Sequence, residues 1–109
     1  MKKQIFNKKQ SSNPPVISVH IEKGDTEKID YHFSEPFRIG RDNSCHLQIS
    51  DHMVSRFHAE ILFIGGRWWI QDLQSANGTF VNGSKIDKVA LDDQSHIELS
   101  NDGPVFTLT

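Results

Sequence analysis

From Val16 to Thr109, short apolar and β-branched stretches follow one another at intervals of about 8–12 residues or less, divided by Gly, Asn and Asp. No window carries a sustained 3.6-residue period, so helix is expected to be almost absent. Residues 16–21, 28–33, 37–39, 47–49, 58–64, 67–73, 78–81, 85–86, 88–91, 96–99 and 105–108 read as about eleven strands. Gly24-Asp25, Gly65-Gly66 and Asn82-Gly83 supply turns, and the last two predict tight hairpins. Many short strands with such turns make an all-β sandwich or barrel.

Alternation within strands selects a buried face. Ala59, Ile61 and Phe63 share one face of their strand, and Trp68, Ile70 and Asp72 share one face of the next. The expected core is Ile39, Ile49, Ile61, Trp68, Ile70, Phe80, Ile97 and Leu99, with Phe33 and Phe37 beside them. Trp69 then points the opposite way and is partly exposed.

A chain of 109 residues is read as one domain. Residues 1–15 are polar and end in Asn13-Pro14-Pro15, which predicts a disordered tail before a folded unit over 16–109. Lys2, Lys3, Lys8 and Lys9 sit in that tail with no acid among the first ten residues. The whole chain is nonetheless at −2, which speaks against nucleic acid or a membrane surface as partner. The single cysteine, Cys45, cannot form an internal disulfide and suits a reducing compartment; with no apolar run of signal or membrane length, the expected location is cytoplasmic. His20, His32, His46, His52 and His96 are scattered singly, so no metal and no cofactor is expected.

Four strand ends carry the chemistry. They read Phe37-Arg38-Ile39-Gly40-Arg41, Val54-Ser55-Arg56-Phe57-His58-Ala59, Ser75-Ala76-Asn77-Gly78-Thr79 and Val81-Asn82-Gly83. An arginine fork is always charged and matches the oxygens of a phosphate dianion. Serine hydroxyls and asparagine amides complete such a shell or hold a peptide main chain. Gly40 before Arg41 permits an unusual backbone angle or a close approach. Each residue also has an ordinary reading: Arg41 as a surface arginine paired to Asp42 or Asp51, Ser55 and Asn77-Gly78 as turn formers, Arg56 as a solvated loop residue.

In order and spacing these elements resemble the forkhead-associated (FHA) family: a Gly-Arg pair, Ser-x-x-His, Ser-x-Asn-Gly and a further Asn-Gly. The likeness covers roughly residues 16–109. It implies an eleven-stranded β-sandwich whose loops, at one end, bind a phosphothreonine-containing segment of a partner protein in signalling, without catalysis. It implies that Arg41 and Ser55 hold the phosphate, that Arg56 adds charge at the rim, and that Asn77 holds the bound main chain. Ala76 departs from members with a hydroxyl there, so only its backbone is left to donate. Gly40, His58, Gly78 and Asn82 are implied as scaffold of the site, and Asp72 as an acceptor for loop N–H groups. A monomer is expected. Two other functions compete: an assembly module using the same fold without phosphate, and a small hydrolase built on Ser55 and His58, which would also need an orienting acid and an oxyanion hole.

Overall fold

The computed structural model describes residues 14–23, 30–101 and 103–109. The expected tail, apart from Pro14 and Pro15, and the expected Gly24-Asp25 turn lie outside these residues. Eleven strands are formed among the described residues, and no helix. They are β1 (Ile17–Lys23), β2 (Asp30–Phe33), β3 (Phe37–Gly40), β4 (Leu47–Gln48), β5 (Ala59–Ile64), β6 (Arg67–Asp72), β7 (Thr79–Val81), β8 (Ser84–Ile86), β9 (Lys88–Ala90), β10 (Ser95–Glu98) and β11 (Val105–Leu108).

Two sheets result. One runs β9-β6-β5-β3-β4, and the other β2-β1-β11-β10-β7-β8. All pairs are antiparallel except β3 with β4, where Ile39 lies opposite Leu47. Their facing sides share one core, so the fold is a β-sandwich. Ile39, Leu47, Ile49, Ile61 and Ile70 come from the first sheet and its loops, and Val19, Ile97, Leu99, Phe106 and Leu108 from the second. Each such side chain gains about 1.5–3 kcal/mol on burial. Phe33 and Phe37, one from each sheet, stack with centroids 3.8 Å apart and close the core at its margin.

Alternation is obeyed at the tryptophans. Trp68 points inward against Phe63, while Trp69 faces outward and donates its indole N–H to the Ile64 carbonyl at 3.1 Å. Phe80 corrects the expected core. In the three-residue strand β7 it is Thr79 and Val81 that face inward, and Phe80 stands on the outer side, half-buried. The Thr79 hydroxyl donates to Asp72 at 2.7 Å, and that bond selects the alternation. Gly65-Gly66 and Asn82-Gly83 close hairpins with positive φ at both residues, as tight two-residue turns require.

Candidate functional site

Strands β3 and β6 end, and β5 and β7 begin, at one end of the sandwich. The connections 41–46, 50–58 and 73–78 therefore meet there, and residues 53–55 are their junction. The Arg41 Nε–H donates to the Val54 carbonyl at 2.9 Å, and the Arg41 main-chain N–H to Ser55 O at 3.0 Å. The Ala76 N–H donates to Ser55 Oγ at 2.9 Å. The Asn77 side-chain amide donates to the Met53 carbonyl at 2.9 Å. Two loops are thus laced to three successive residues of the third.

Each anchored side chain keeps donor capacity. Arg41 spends Nε on the loop, and its terminal amines have no partner among the described residues. The ion pairs of the ordinary reading do not form: the Asp42 carboxylate accepts from the Ser44 N–H, and that of Asp51 from the Met53 N–H. The Ser44 bonds, chiefly from its hydroxyl, hold the Asp42 carboxyl below the usual carboxylate range. Ser55 Oγ accepts from Ala76, which leaves its own hydrogen to donate. Asn77 uses one amide hydrogen and retains the other, together with Oδ1. The backbone N–H at Ala76, expected to be open, is already taken by Ser55.

His58 is fully buried and spans the loops. Its Nδ1 accepts the Ser55 main-chain N–H at 3.1 Å, and its Nε2 lies 2.9 Å from the Gly78 carbonyl. A carbonyl only accepts, so Nε2 carries the hydrogen and the ring is neutral. Burial pushes its pKa below the ordinary 6.5, with the Gly78 bond and Asp72 opposing. Neither ring nitrogen reaches the Ser55 hydroxyl, so the base–nucleophile contact of a hydrolase is not made.

Asp72 does what was expected of it, and more. It accepts the Ser75 N–H at 3.0 Å and the hydroxyls of Ser75 and Thr79. Burial alone would raise its pKa, but these bonds outweigh burial and lower it. Ser75 then receives the Gly78 N–H at 3.0 Å. This Asp72–Ser75–Gly78 relay was not foreseen, because a serine three residues after an acid is an unremarkable loop pattern.

The glycines serve different ends. A Cβ on Gly40 would stand 2.1 Å from the Arg56 carbonyl oxygen, so close backbone approach is the reason for it. That same carbonyl receives the Asp42 N–H and the Cys45 thiol. Arg56 thus anchors the loop through its main chain while its side chain is exposed. Gly78 adopts φ +91°, and its vacant Cβ position faces Phe80 and the Lys85 side chain. Asn82 stands apart from the other site residues. It lies at the far end of β7, where its side chain accepts the His96 N–H at 2.9 Å, and so braces a hairpin instead of the binding loops.

Comparison with known proteins agrees with this geometry. Residues 37–100, more than half of the chain, match the family model of the FHA domain. The ABC transporter ATP-binding/permease protein Rv1747 of Mycobacterium tuberculosis is 39% identical over 69 residues, 63% of this chain; the chain spans only 8% of that relative's length. The solution structure of an FHA domain from Arabidopsis thaliana superposes with a TM-score of 0.80 at 28% identity, covering 88% of this chain and 86% of that one. A structure described as a study of phosphothreonine-dependent FHA domain interactions superposes with a TM-score of 0.75 at 27% identity, over 86% of this chain and 95% of the other. From motif order, sandwich and family match together, the chain belongs to the forkhead-associated domain family.

Proposed function

We propose that this chain is a non-catalytic reader of phosphothreonine in an extended segment of a partner protein. One observation carries the reading. Arg41, Ser55 and Asn77 come from three loops, Arg41 and Asn77 are anchored on the 53–55 segment that carries Ser55, and each of the three keeps a donor for a ligand. In this mechanism the Arg41 terminal amines and the Ser55 hydroxyl take the phosphate oxygens, and the dianion is neutralised further by Arg56 at the rim. The remaining Asn77 amide hydrogen and Oδ1 bracket the ligand's main chain. Because the loops are cross-braced before the ligand arrives, little ordering cost falls on binding. His58 supports the absence of turnover: it is neutral, buried and bonded to main chain on both nitrogens. The similarity to a phosphothreonine-dependent FHA domain supports the choice of ligand.

The same reading has the domain acting as a monomer in the cytoplasm, on protein partners in signalling. Titration with a degenerate phosphothreonine peptide library and its unphosphorylated twin tests it. Only the phosphorylated set is expected to bind; equal binding of the two would instead establish a phosphate-independent assembly module.

A further inference from the structure

We propose that Lys85 is a specificity-determining residue of this socket, reading an acidic side chain of the partner segment beyond Asn77. The proposal rests on the phosphothreonine reading and adds a second charge to the ligand.

The placement follows from register. Strand β8 pairs with β7 so that Lys85 lies opposite Phe80 and Ile86 opposite Thr79. Ile86 packs toward the core, and Lys85 is therefore on the outer face. An exposed lysine ordinarily extends into water. This one doubles back over the Asn77-Gly78 turn: its Cε lies 3.1 Å, and its Cδ 3.6 Å, from the vacant Cβ position of Gly78. Gly78 is buried although Asn77 beside it is exposed, and the Lys85 methylenes form part of its cover. The ammonium is one bond beyond that Cε, and so stays within reach of the Asn77-Gly78 turn.

Its charge is not compensated. Lys85 makes no ion pair among the described residues, although Asp87 lies two residues along and Glu98 two strands across. The acids of the loop end are occupied elsewhere: Asp42 on Ser44, Asp51 on Met53, Asp72 on Ser75 and Thr79. Arg41, Arg56 and Lys85 are thus three cations of this end that make no ion pair among the described residues. A ligand with the phosphate at Arg41 and its main chain on Asn77 passes Gly78 next. At about 3.3 Å per extended residue, its carboxylate falls some two to four residues from the phosphothreonine.

The test uses phosphothreonine peptides in which a single Glu, Lys, or Gln as control, is walked about four residues to either side of the phosphothreonine. The wild-type chain is expected to prefer Glu over Gln several-fold at one position, less so at high salt, as an exposed pair should. Lys85→Met, which keeps the methylene cover, should bring that ratio to one. Lys85→Glu should invert it in favour of Lys at the same position. A Glu preference that survives both substitutions, or no preference at any position, overturns the role of Lys85 while leaving phosphothreonine recognition standing. Failure of every phosphopeptide to bind overturns both.

Discussion

At the Gly65-Gly66 end of the sandwich, tight turns rest chiefly on positive φ, with the Asn82 side chain bracing one of them; at the end carrying Ser55 and Asn77, the loops are held to one another by side chains. A Cβ at Gly65, Gly66 or Gly83 would meet nothing within 4 Å, so those glycines answer only to positive φ. A Cβ at Gly40 would collide with main chain. The hairpin end also leaves an open cleft of about 340 Å³ between residues such as Val16, Trp68, Leu91 and Leu108. The loop end instead invests its polar groups in fixing donors for a ligand. Rigid strands carry both ends, but only one has loops whose shape is over-determined, and that is what recognition by loops demands.

The largest effect that separates the two ends is expected at Arg41. Arg41→Ala should weaken phosphopeptide binding by about 2–5 kcal/mol, because the phosphate enters without its main counter-charge. Folding stability should barely move, since the side chain is exposed and its one internal bond is to a loop carbonyl. Calorimetry on the variant, with thermal unfolding alongside, checks both halves; normal affinity would remove Arg41 from the socket.

Glycine substitution probes the comparison directly. Gly40→Ala should destabilise the fold by about 1–3 kcal/mol or more, as the 41–46 and 50–58 loops are forced apart. Gly65→Ala meets open space and should cost only the left-handed backbone strain, about 1–2 kcal/mol, with affinity intact. Denaturant midpoints and peptide titrations on the pair would show whether the ends differ as described. Equal stability losses, with affinity equally retained, would mean that the loop end is no more constrained than the hairpins.

Much of this was legible from residue order. Ile61, Ile70 and Ile97 lie in long alternating runs, and all three are buried. Phe80 falls outside the expected core because a three-residue strand offers two alternations, and the choice is made by Thr79 bonding Asp72, a contact between strands of different sheets. Asn82 carries the same Asn-Gly pattern as Asn77, yet it sits at the other end of β7; pattern alone does not say which end of a strand joins the site. Lys85 gave no signal, since its approach to Gly78 depends on the β7–β8 register. Local chemistry could be read from the sequence, whereas cross-strand geometry could not.

Titration separates the site from its scaffold, with a slope limited to about 1.4 kcal/mol per pH unit for one proton. His58 has its pKa lowered by burial, so the unfolded chain takes up the proton first. Its contribution is complete above the ordinary value of 6.5 and is lost as pH falls from there toward the folded pKa. Asp72, also lowered, contributes above its ordinary 3.8 and is lost below it. Stability without peptide should therefore fall as pH drops, first from about 6.5 through His58 and again from about 3.8 through Asp72. Affinity should fall below about pH 6 for a further reason, protonation of the phosphate itself. Phosphorus NMR of the peptide distinguishes this from His58, and affinity that stays flat from about pH 7.5 to 5 would contradict a dianion socket.

The smallest expected effect asks how finely the loop end is shaped. Phosphothreonine differs from phosphoserine by one methyl group, whose burial is worth about 1 kcal/mol. Met53 is half-buried and Val54 fully so, and both belong to the segment that anchors Arg41 and Asn77, so apolar contact is at hand beside the polar donors. Matched phosphothreonine and phosphoserine peptides should then differ several-fold in affinity. A larger ratio would mean that the methyl also orients the phosphate toward Arg41. Equal affinities would show that the socket senses only charge and main chain, and that the bracing of its loops fixes donors without shaping a niche.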